Sequence, residues 1–374
     1  MKLKIMRIIT WNIKGATKTS AVWKILTDLN PDIALLQEVG GIPEEIKREF
    51  NVLSKVAIQK TGKPQKFSTA VLVKGKVIGG IDLKSEYEWV NRELEFFKGN
   101  FISCIVQPQN QGLVKVVSVY SPAWPVNKER LKGIDVSPVK LQLNPNVWGS
   151  EIIWSALKNI VSNNEAWIVG GDYNISETFD KEWQDKNGLK FGIRSFGNKE
   201  ILDRMYEMGF VECLRKYTNK IVPTFKHSRG EIAHQIDHLF VTSNLYSQLK
   251  SCIVGDQSII FGNSLSDHLP IIADFKNTSQ SISPHVEKFI IRNKWVFAKS
   301  MSEIPHYYIV RDNLSEDDKK IFDEFDAFIK KNGYTAEFYS KQYTYFNIGN
   351  YKYWVMENIL NRATIEYKNN DENL

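Results

Sequence analysis

The stretch Ala166-Trp167-Ile168-Val169-Gly170-Gly171-Asp172-Tyr173-Asn174 decides the fold. Four apolar residues run into two glycines, then an acid, an aromatic and an amide. A short apolar run closed by Gly-Gly reads as a buried strand that delivers its next residues to a sheet edge. Clefts form beyond such strand ends in layered folds. Alternation sends Asp172 and Asn174 to one face and Tyr173 to the other. The two glycines let a substrate approach the backbone. Taken alone the stretch also fits a turn, because Gly, Asp and Asn all favour turns.

Working outward, the same pattern recurs. Upstream, Leu3 to Trp11 is a strand that ends at Asn12 and is broken by Gly15. A helix pattern follows from Thr19, with Val22, Ile25, Leu26 and Leu29 on one face, and Pro31 stops it. Asp32 to Leu36 is a buried strand that delivers Gln37 and Glu38. Residues 52–83 hold two or three strands, Ser68 to Val73 being the clearest. Phe101 to Val106 and Leu113 to Tyr120 pair around a polar turn, and the second strand closes on Tyr120. Downstream, Asp237 lies inside the apolar run Ile236 to Val241, where an acid is expensive to bury unless it is paired. His238 alternates to the opposite face and reads as structural. Ser266-Asp267-His268 opens the last strand of the region. Each of these has an ordinary explanation by itself: Glu38 as a solvated carboxylate, Asn12 as a turn residue, Tyr120 as a sheet-edge tyrosine.

Two long irregular segments separate these strands. Residues 123–150 contain Pro125, Pro138, Pro145, Trp124 and Trp148 and have the length of a lid or binding loop. Residues 175–200 combine Trp183 with Lys186, Lys190, Arg194 and Lys199. That mixture suits phosphate contacts and base stacking, and equally an ordinary surface. Helices are expected over Glu151 to Val161 and Leu202 to Met208.

Composition bounds the answer. A chain of 374 residues, 43% hydrophobic and 25% charged, is long enough for one large domain and a small one. The net charge of +6 is compatible with a polyanionic partner and with a plain lysine-rich surface. Three scattered cysteines, Cys104, Cys213 and Cys252, give neither a disulfide framework nor a zinc pattern. The expectation is a reducing, cytoplasmic setting with no membrane insertion. Protein partners are not indicated. No Gly-rich segment ends in Gly-Lys-Ser/Thr, which excludes a Walker-type phosphate loop. Carboxylate oxygens suit a hard cation such as Mg²⁺ shared with substrate phosphate. A histidine beside an aspartate suits acid–base work near neutrality. Together they point to metal-assisted hydrolysis of a phosphate ester.

Five segments then carry a resemblance. Trp11-Asn12, the Pro31 to Val39 run ending Gln37-Glu38-Val39, Gly171-Asp172-Tyr173-Asn174, Ile236-Asp237-His238 and Ser266-Asp267-His268-Leu269-Pro270 are similar to the motifs of the endonuclease/exonuclease/phosphatase superfamily. The resemblance covers residues 3–275, in the family's order. It implies an α/β four-layer sandwich of two mostly antiparallel sheets flanked by helices. It implies that Glu38 is the main Mg²⁺ ligand (Mn²⁺ being the alternative), with Asn12 and Asp267 close to the metal. Asp172 would deprotonate the attacking water. Asn174 and Tyr120 would hold the phosphoryl oxygens, and His268, oriented by Asp237, would stabilise the pentacoordinate state. Two positions depart from the pattern. Tyr120 stands where deoxyribonuclease I-like members have histidine, as in the exonuclease III branch, and Tyr173 replaces the usual phenylalanine. The expected activity is a Mg²⁺-dependent phosphodiesterase, a nuclease with a nucleic-acid substrate. The alternatives are a lipid or small-molecule phosphoesterase and a non-catalytic nucleic-acid-binding module.

The expected boundaries are 1–276 for the catalytic domain and 277–285 for a Ser-rich linker. Residues 286–374 form a small α+β domain of unknown function. Its strands are expected at Phe289 to Ile291, Trp295 to Ala298 and Tyr307 to Val310. A helix follows the Ser315/Asp318 capping box and ends at Gly333. An aromatic hairpin of Phe338 to Phe346 and Tyr351 to Met356 is either a core face or a stacking surface.

Overall fold

In the computed structural model the chain divides into two compact units, Met1–Asn277 and Thr278–Leu374. The structure describes residues 5–276 except 110, 143, 162–164, 181–196 and 219. Beyond these it describes residue 316 and the strands of the second unit.

The first unit is built from two six-stranded sheets. Strands β1 (Ile5–Ala16), β2 (Ile33–Val39), β3 (Asn51–Ile58) and β4 (Pro64–Val73) begin the first sheet. Strands β5 (Gly75–Gly80), β6 (Phe101–Pro108), β7 (Val114–Tyr120), β8 (Trp167–Asp172), β9 (Phe210–Glu212) and β10 (Asp237–Thr242) make the second. Strands β11 (Leu249–Val254) and β12 (Ile271–Lys276) return to the first. The orders are β11-β12-β1-β2-β4-β3 and β5-β6-β7-β8-β10-β9. β1 runs parallel to β2 and β7 parallel to β8, and the other pairs are antiparallel.

Burial makes the layers. Ile8, Ile33, Leu35, Val71, Val116, Ile168, Leu239 and Val241 meet in one cluster between the sheets. The outer face of the first sheet packs under α1 (Val22–Leu29) and α2 (Glu44–Glu49) through Trp23, Leu26 and Ile46. The outer face of the second packs under α3 (Glu88–Phe96), α4 (Gly149–Ile160) and α5 (Asn198–Glu207) through Val90, Ile153, Leu157 and Met205. Strands covered on both faces read as continuous apolar runs, which is why Ile33-Ala34-Leu35-Leu36 and Trp167-Ile168-Val169 lack alternation. The expected four-layer α/β sandwich is the observed architecture.

The two glycines before Asp172 do a different job from the one expected. Both are buried. A Cβ at Gly170 would meet Leu239 Cδ1 at 2.8 Å, Leu35 Cδ1 at 3.1 Å and Thr10 Cβ at 3.3 Å. A Cβ at Gly171 would lie 1.9 Å from the carbonyl oxygen of Val119. They admit the protein's own neighbours rather than a substrate.

The 123–150 segment is not an open lid. Val126, Val139, Leu141 and Val147 are buried in the cluster beneath α4. Glu151 ties the segment down: its carboxylate accepts from the amides of Leu141 at 3.1 Å and Trp148 at 2.8 Å. Arg204 donates to the carbonyls of Val139 at 2.6 Å and Lys140 at 3.1 Å. Trp183, Lys186, Lys190 and Arg194 lie outside the described residues, and Lys199 pairs with Asp203 at 2.6 Å.

Burial pushes the Glu151 carboxyl up to about 8, against the pull of the two amides. The folded chain therefore holds this proton more tightly than the unfolded chain does. Its stabilising contribution is complete below the ordinary carboxyl value of 4.5 and is lost as pH rises to about 8. Glu151→Gln is expected to flatten that part of the pH dependence. It also loses about 1–3 kcal/mol at acid pH, because its amide NH₂ faces a backbone donor. Urea midpoints of both proteins from pH 4.5 to 9 decide this, and equal slopes would refute it.

The second unit holds a separate antiparallel sheet. Its strands are β13 (Ala298–Lys299), β14 (Pro305–Val310), β15 (Ala336–Ser340), β16 (Tyr343–Ile348), β17 (Tyr351–Met356) and β18 (Arg362–Tyr367), in the order β13-β14-β18-β17-β16-β15. The expected single strand from Phe338 to Phe346 is two strands, β15 and β16. The hairpin turn is shorter than expected, since Asn347 pairs with Lys352 and Ile348 with Tyr351. β18, a polar-alternating strand, escaped the sequence reading. The linker, the strand at 289–291, residues 295–297 of the next expected strand and the helix after Ser315, apart from residue 316, lie outside the described residues.

Candidate active site

Strand directions bring the polar residues to one rim. The parallel pairs β1–β2 and β7–β8 end together, which places Asn12, Glu38, Tyr120 and Asp172 at C-terminal strand ends. β10 runs antiparallel to β8, so its first residue, Asp237, stands opposite Asp172. β12 runs antiparallel to β1, so Asp267 and His268, just before it, reach the same rim.

The strand ends are not simple. β1 continues past Asn12 to Ala16, with its register against β2 broken between those residues. Lys14 there has φ 48°. β2 is irregular between Leu36 and Val39, and Glu38 has φ 53°. Asn174 has φ 51°. Left-handed backbone is uncommon outside glycine and costs of order 1 kcal/mol or more. It turns Lys14, Glu38 and Asn174 out of strand alternation, so the expectation that Asp172 and Asn174 share a face by alternation is replaced by a turn. Asp172 Oδ1 accepts from the Asn174 amide at 3.0 Å, and the Asn174 side chain donates to the Ser121 carbonyl at 2.8 Å.

Hydrogen bonds join the two sheets across the rim. Asn12, 1% exposed, donates from Nδ2 to Asp172 Oδ2 at 3.0 Å. His268 Nδ1 faces both oxygens of Asp237, at 3.1 and 2.9 Å. The other ring nitrogen, Nε2, lies 3.9 Å from Asp172 Oδ2 and 4.0 Å from Asp267 Oδ1. The loop that carries His268 is fastened to β1: Ser266 Oγ donates to the Asn12 carbonyl at 2.8 Å and accepts from the His268 amide at 3.0 Å. Trp11 Nε1 donates to the His268 carbonyl at 2.9 Å. Thr224 Oγ1 accepts from the amides of Ile236 and Asp237, and the ring of Phe225 packs on His268 at 5.0 Å.

The electrostatics follow from burial. Burial pushes the Asp172 carboxyl up, His268 pulls it down, Asp237 pushes it further up, and the net direction is up. Burial alone would lower the His268 imidazole; the carboxylates of Asp237, Asp172 and Asp267 outweigh it, and the ring's pKa rises. Burial also pushes Glu38 up, while hydrogen bonds from Asn12 and Tyr120 pull it down in part. Burial beside Glu38 and Asp172 pushes the Tyr120 hydroxyl up, so it stays a donor.

All eight residues expected from the sequence are therefore at this rim. Sequence reasoning missed Lys14, whose ammonium pairs with Asp267 Oδ2 at 3.1 Å. Its place two residues after Asn12 and just before Gly15 was the available signal. It also missed Phe67, whose ring meets Tyr120 edge-on at 5.3 Å.

A hard divalent cation fits this donor set. Glu38 is a half-buried carboxylate that burial holds above its ordinary pKa, and Asp267 adds to that push. Both offer oxygen, as Mg²⁺ and Mn²⁺ require. Among the described residues, the donor atoms of Asp172, Asp237 and His268 also lie within 4.8 Å of one another. Those three are already engaged with one another and with Asn12 and Asn174, which suits an acid–base group better.

No protein-family model matches the chain, and no curated protein matches it. Solved structures do. An AP endonuclease from Archaeoglobus fulgidus superposes with a TM-score of 0.53 at 18% identity, over 72% of this chain and 99% of that one. An endonuclease/exonuclease/phosphatase from Beutenbergia cavernae superposes with a TM-score of 0.50 at 13% identity, over 95% of this chain and 81% of that one. The large unit has the endonuclease/exonuclease/phosphatase fold. At these identities the match is one of architecture. The endonuclease/exonuclease/phosphatase fold has the two packed sheets seen here, and the candidate site lies at their common rim. No helix among the described residues is long and apolar enough to cross a membrane.

Proposed function

We propose that the large unit is a divalent-metal-dependent phosphodiesterase that hydrolyses nucleic acid. The observation that carries this reading is the pair Asp237–His268 presenting Nε2 beside Asp172, with Glu38 and Asn12 on the neighbouring strand ends. The fold supports it, because the Archaeoglobus fulgidus structure is that of an AP endonuclease.

A cation held by Glu38, with Asn12 and Asp267 beside it, would neutralise charge on the scissile phosphate. The rest is done by the chain. Asp172, with its pKa raised, takes the proton of the attacking water as the water oxygen bonds to phosphorus. The bond from phosphorus to the ester oxygen on the far side breaks, and that oxygen leaves with the electron pair and takes up a proton from solvent. His268 keeps a proton on Nε2, because the carboxylates around it favour the imidazolium, and offers it to a phosphoryl oxygen as negative charge grows. Asn174 has one amide hydrogen on Ser121 and a second for the same purpose. Tyr120 adds a hydroxyl donor. Asn12 fixes the Asp172 carboxylate so that it need not reorganise during the reaction.

The test is cleavage of supercoiled plasmid, single-stranded DNA, RNA, an abasic duplex and phosphoinositides, with Mg²⁺ and with EDTA. Nucleic-acid cleavage that EDTA abolishes is the expected result. Turnover of phosphoinositide alone would replace the substrate class, and cleavage that survives EDTA would remove the metal. Glu38→Gln provides a second measurement. Mg²⁺ at a hundred times its Kd should stabilise the wild type by about 2.7 kcal/mol, and that gain should vanish in the variant.

A further inference from the structure

A second group of titratable side chains lies behind the site, on the opposite face of β10. His238 is 1% exposed and stands one residue from Asp237. Its Nδ1 is 2.7 Å from Glu212 Oε1, at the end of β9. Glu212 is also bound by Gln235 Nε2 and paired with Arg215 at 3.0 Å. The other ring nitrogen, Nε2, is 3.2 Å from the carbonyl oxygen of Ile175. A carbonyl only accepts, so that bond requires a proton on Nε2. Tyr173 packs edge-on against the same ring at 5.6 Å, and Phe240 stacks on it at 5.7 Å. The mechanism uses none of these groups.

Ile175 directly follows Asn174. The turn from Asp172 to Ile175 is held at several points: the Tyr173 amide donates to the Ile236 carbonyl, the Asn174 side chain to the Ser121 carbonyl and the Asn174 amide to Asp172 Oδ1. The anchor beyond Asn174 is the Ile175 carbonyl on His238. Asn174 is held between these anchors in left-handed backbone, φ 51°. Such a conformation persists only where its surroundings over-determine it.

We propose that His238 is a positioning residue: its Nε2–H holds the Ile175 carbonyl and so fixes the turn that presents Asn174 to the phosphate. The catalytic part of this inference rests on the function proposed above; the structural part does not. Glu212 orients the ring from the other side, so that β9 braces the turn through one imidazole.

Two substitutions separate this role from plain core filling. In His238→Asn the amide nitrogen takes the place of Nδ1 and keeps Glu212, but nothing reaches Ile175. In His238→Gln the amide nitrogen takes the place of Nε2 and keeps Ile175. Hydrogen exchange over residues 173–178 is expected to quicken about tenfold or more in the Asn variant and to stay near wild type in the Gln variant. With the preferred substrate, kcat is expected to fall about tenfold or more in the Asn variant with KM within about twofold, and to recover in the Gln variant. Equal exchange in the two variants overturns the proposal, and so does an unchanged kcat in the Asn variant. If the wild type cleaves nothing, the function above fails, and the exchange data still decide the anchoring. Should the Asn variant not fold, nitrogen-15 spectra of the wild-type ring settle the matter: an Nε2 without a proton refutes the proposal.

Discussion

Asp172→Asn is expected to lower kcat by about 10²–10⁴-fold, the usual weight of a positioned general base. Three observations set the size. The carboxylate is 1% exposed, both its oxygens are already aimed by Asn12 and Asn174, and burial raises its pKa towards the range where it can take a proton from water. An amide cannot take that proton. It also places an NH₂ against one of the two donors, so one of those two hydrogen bonds is lost. The pH profile supplies the sign. A base with a raised pKa loses activity from the acid side at a pH above the ordinary aspartate value of 3.8. Wild-type kcat/KM should fall along that limb, and the residual rate of Asp172→Asn should not. A limb that persists unchanged in the variant would assign it to another group.

His268→Ala is expected to cost a similar factor, about 10²–10³-fold in kcat, as for the loss of one charge-stabilising donor. Asp237→Asn should come close to it. Asp237 is fully buried and acts on the imidazole through Nδ1, so an amide in its place withdraws the charge that keeps His268 protonated. Because the two act as one unit, the double variant should be hardly worse than either single one. Additive losses would mean that Asp237 has a separate task. His268→Ala also removes the surface against which Phe225 packs, so thermal stability has to be measured alongside the rate.

The fold was legible because both sheets are covered on both faces. That makes Ile33 to Leu36 and Trp167 to Val169 unbroken apolar runs, and the polar residue after each run stands out. Asp237 was legible for the opposite reason, as an acid inside such a run. What the sequence hid were backbone events. Nothing in Lys14 or Glu38 announces a positive φ, since each follows from an irregularity that the neighbouring strand imposes, and Asn174 carries only the general preference of asparagine for turns. The packing of 123–150 was hidden too, because it depends on Glu151 and Arg204 reaching the loop from α4 and α5. His238 was correctly assigned to the other face. Its hold on Ile175 spans 63 residues of sequence and has no local signature.

The space left open at Gly170 sets a mechanical tolerance for the chemistry. At that residue Leu35 and Thr10 from one sheet and Leu239 from the other all come within 3.3 Å of where a side chain would begin. The groups proposed to react are divided along the same line: Asn12, Glu38 and His268 ride on one sheet, Tyr120, Asp172 and Asp237 on the other. The site is thus a seam, closed by Asn12 on Asp172 and by His268 on Asp237. A methyl group at Gly170 would act as a wedge between the two plates, against Leu35 and Thr10 of the facing sheet. The strands could keep their own ladders while the seam opened by a fraction of an ångström. Activity would then be lost well before helicity or strand content, and inter-sheet spacing becomes the dimension that this chain can least afford to vary.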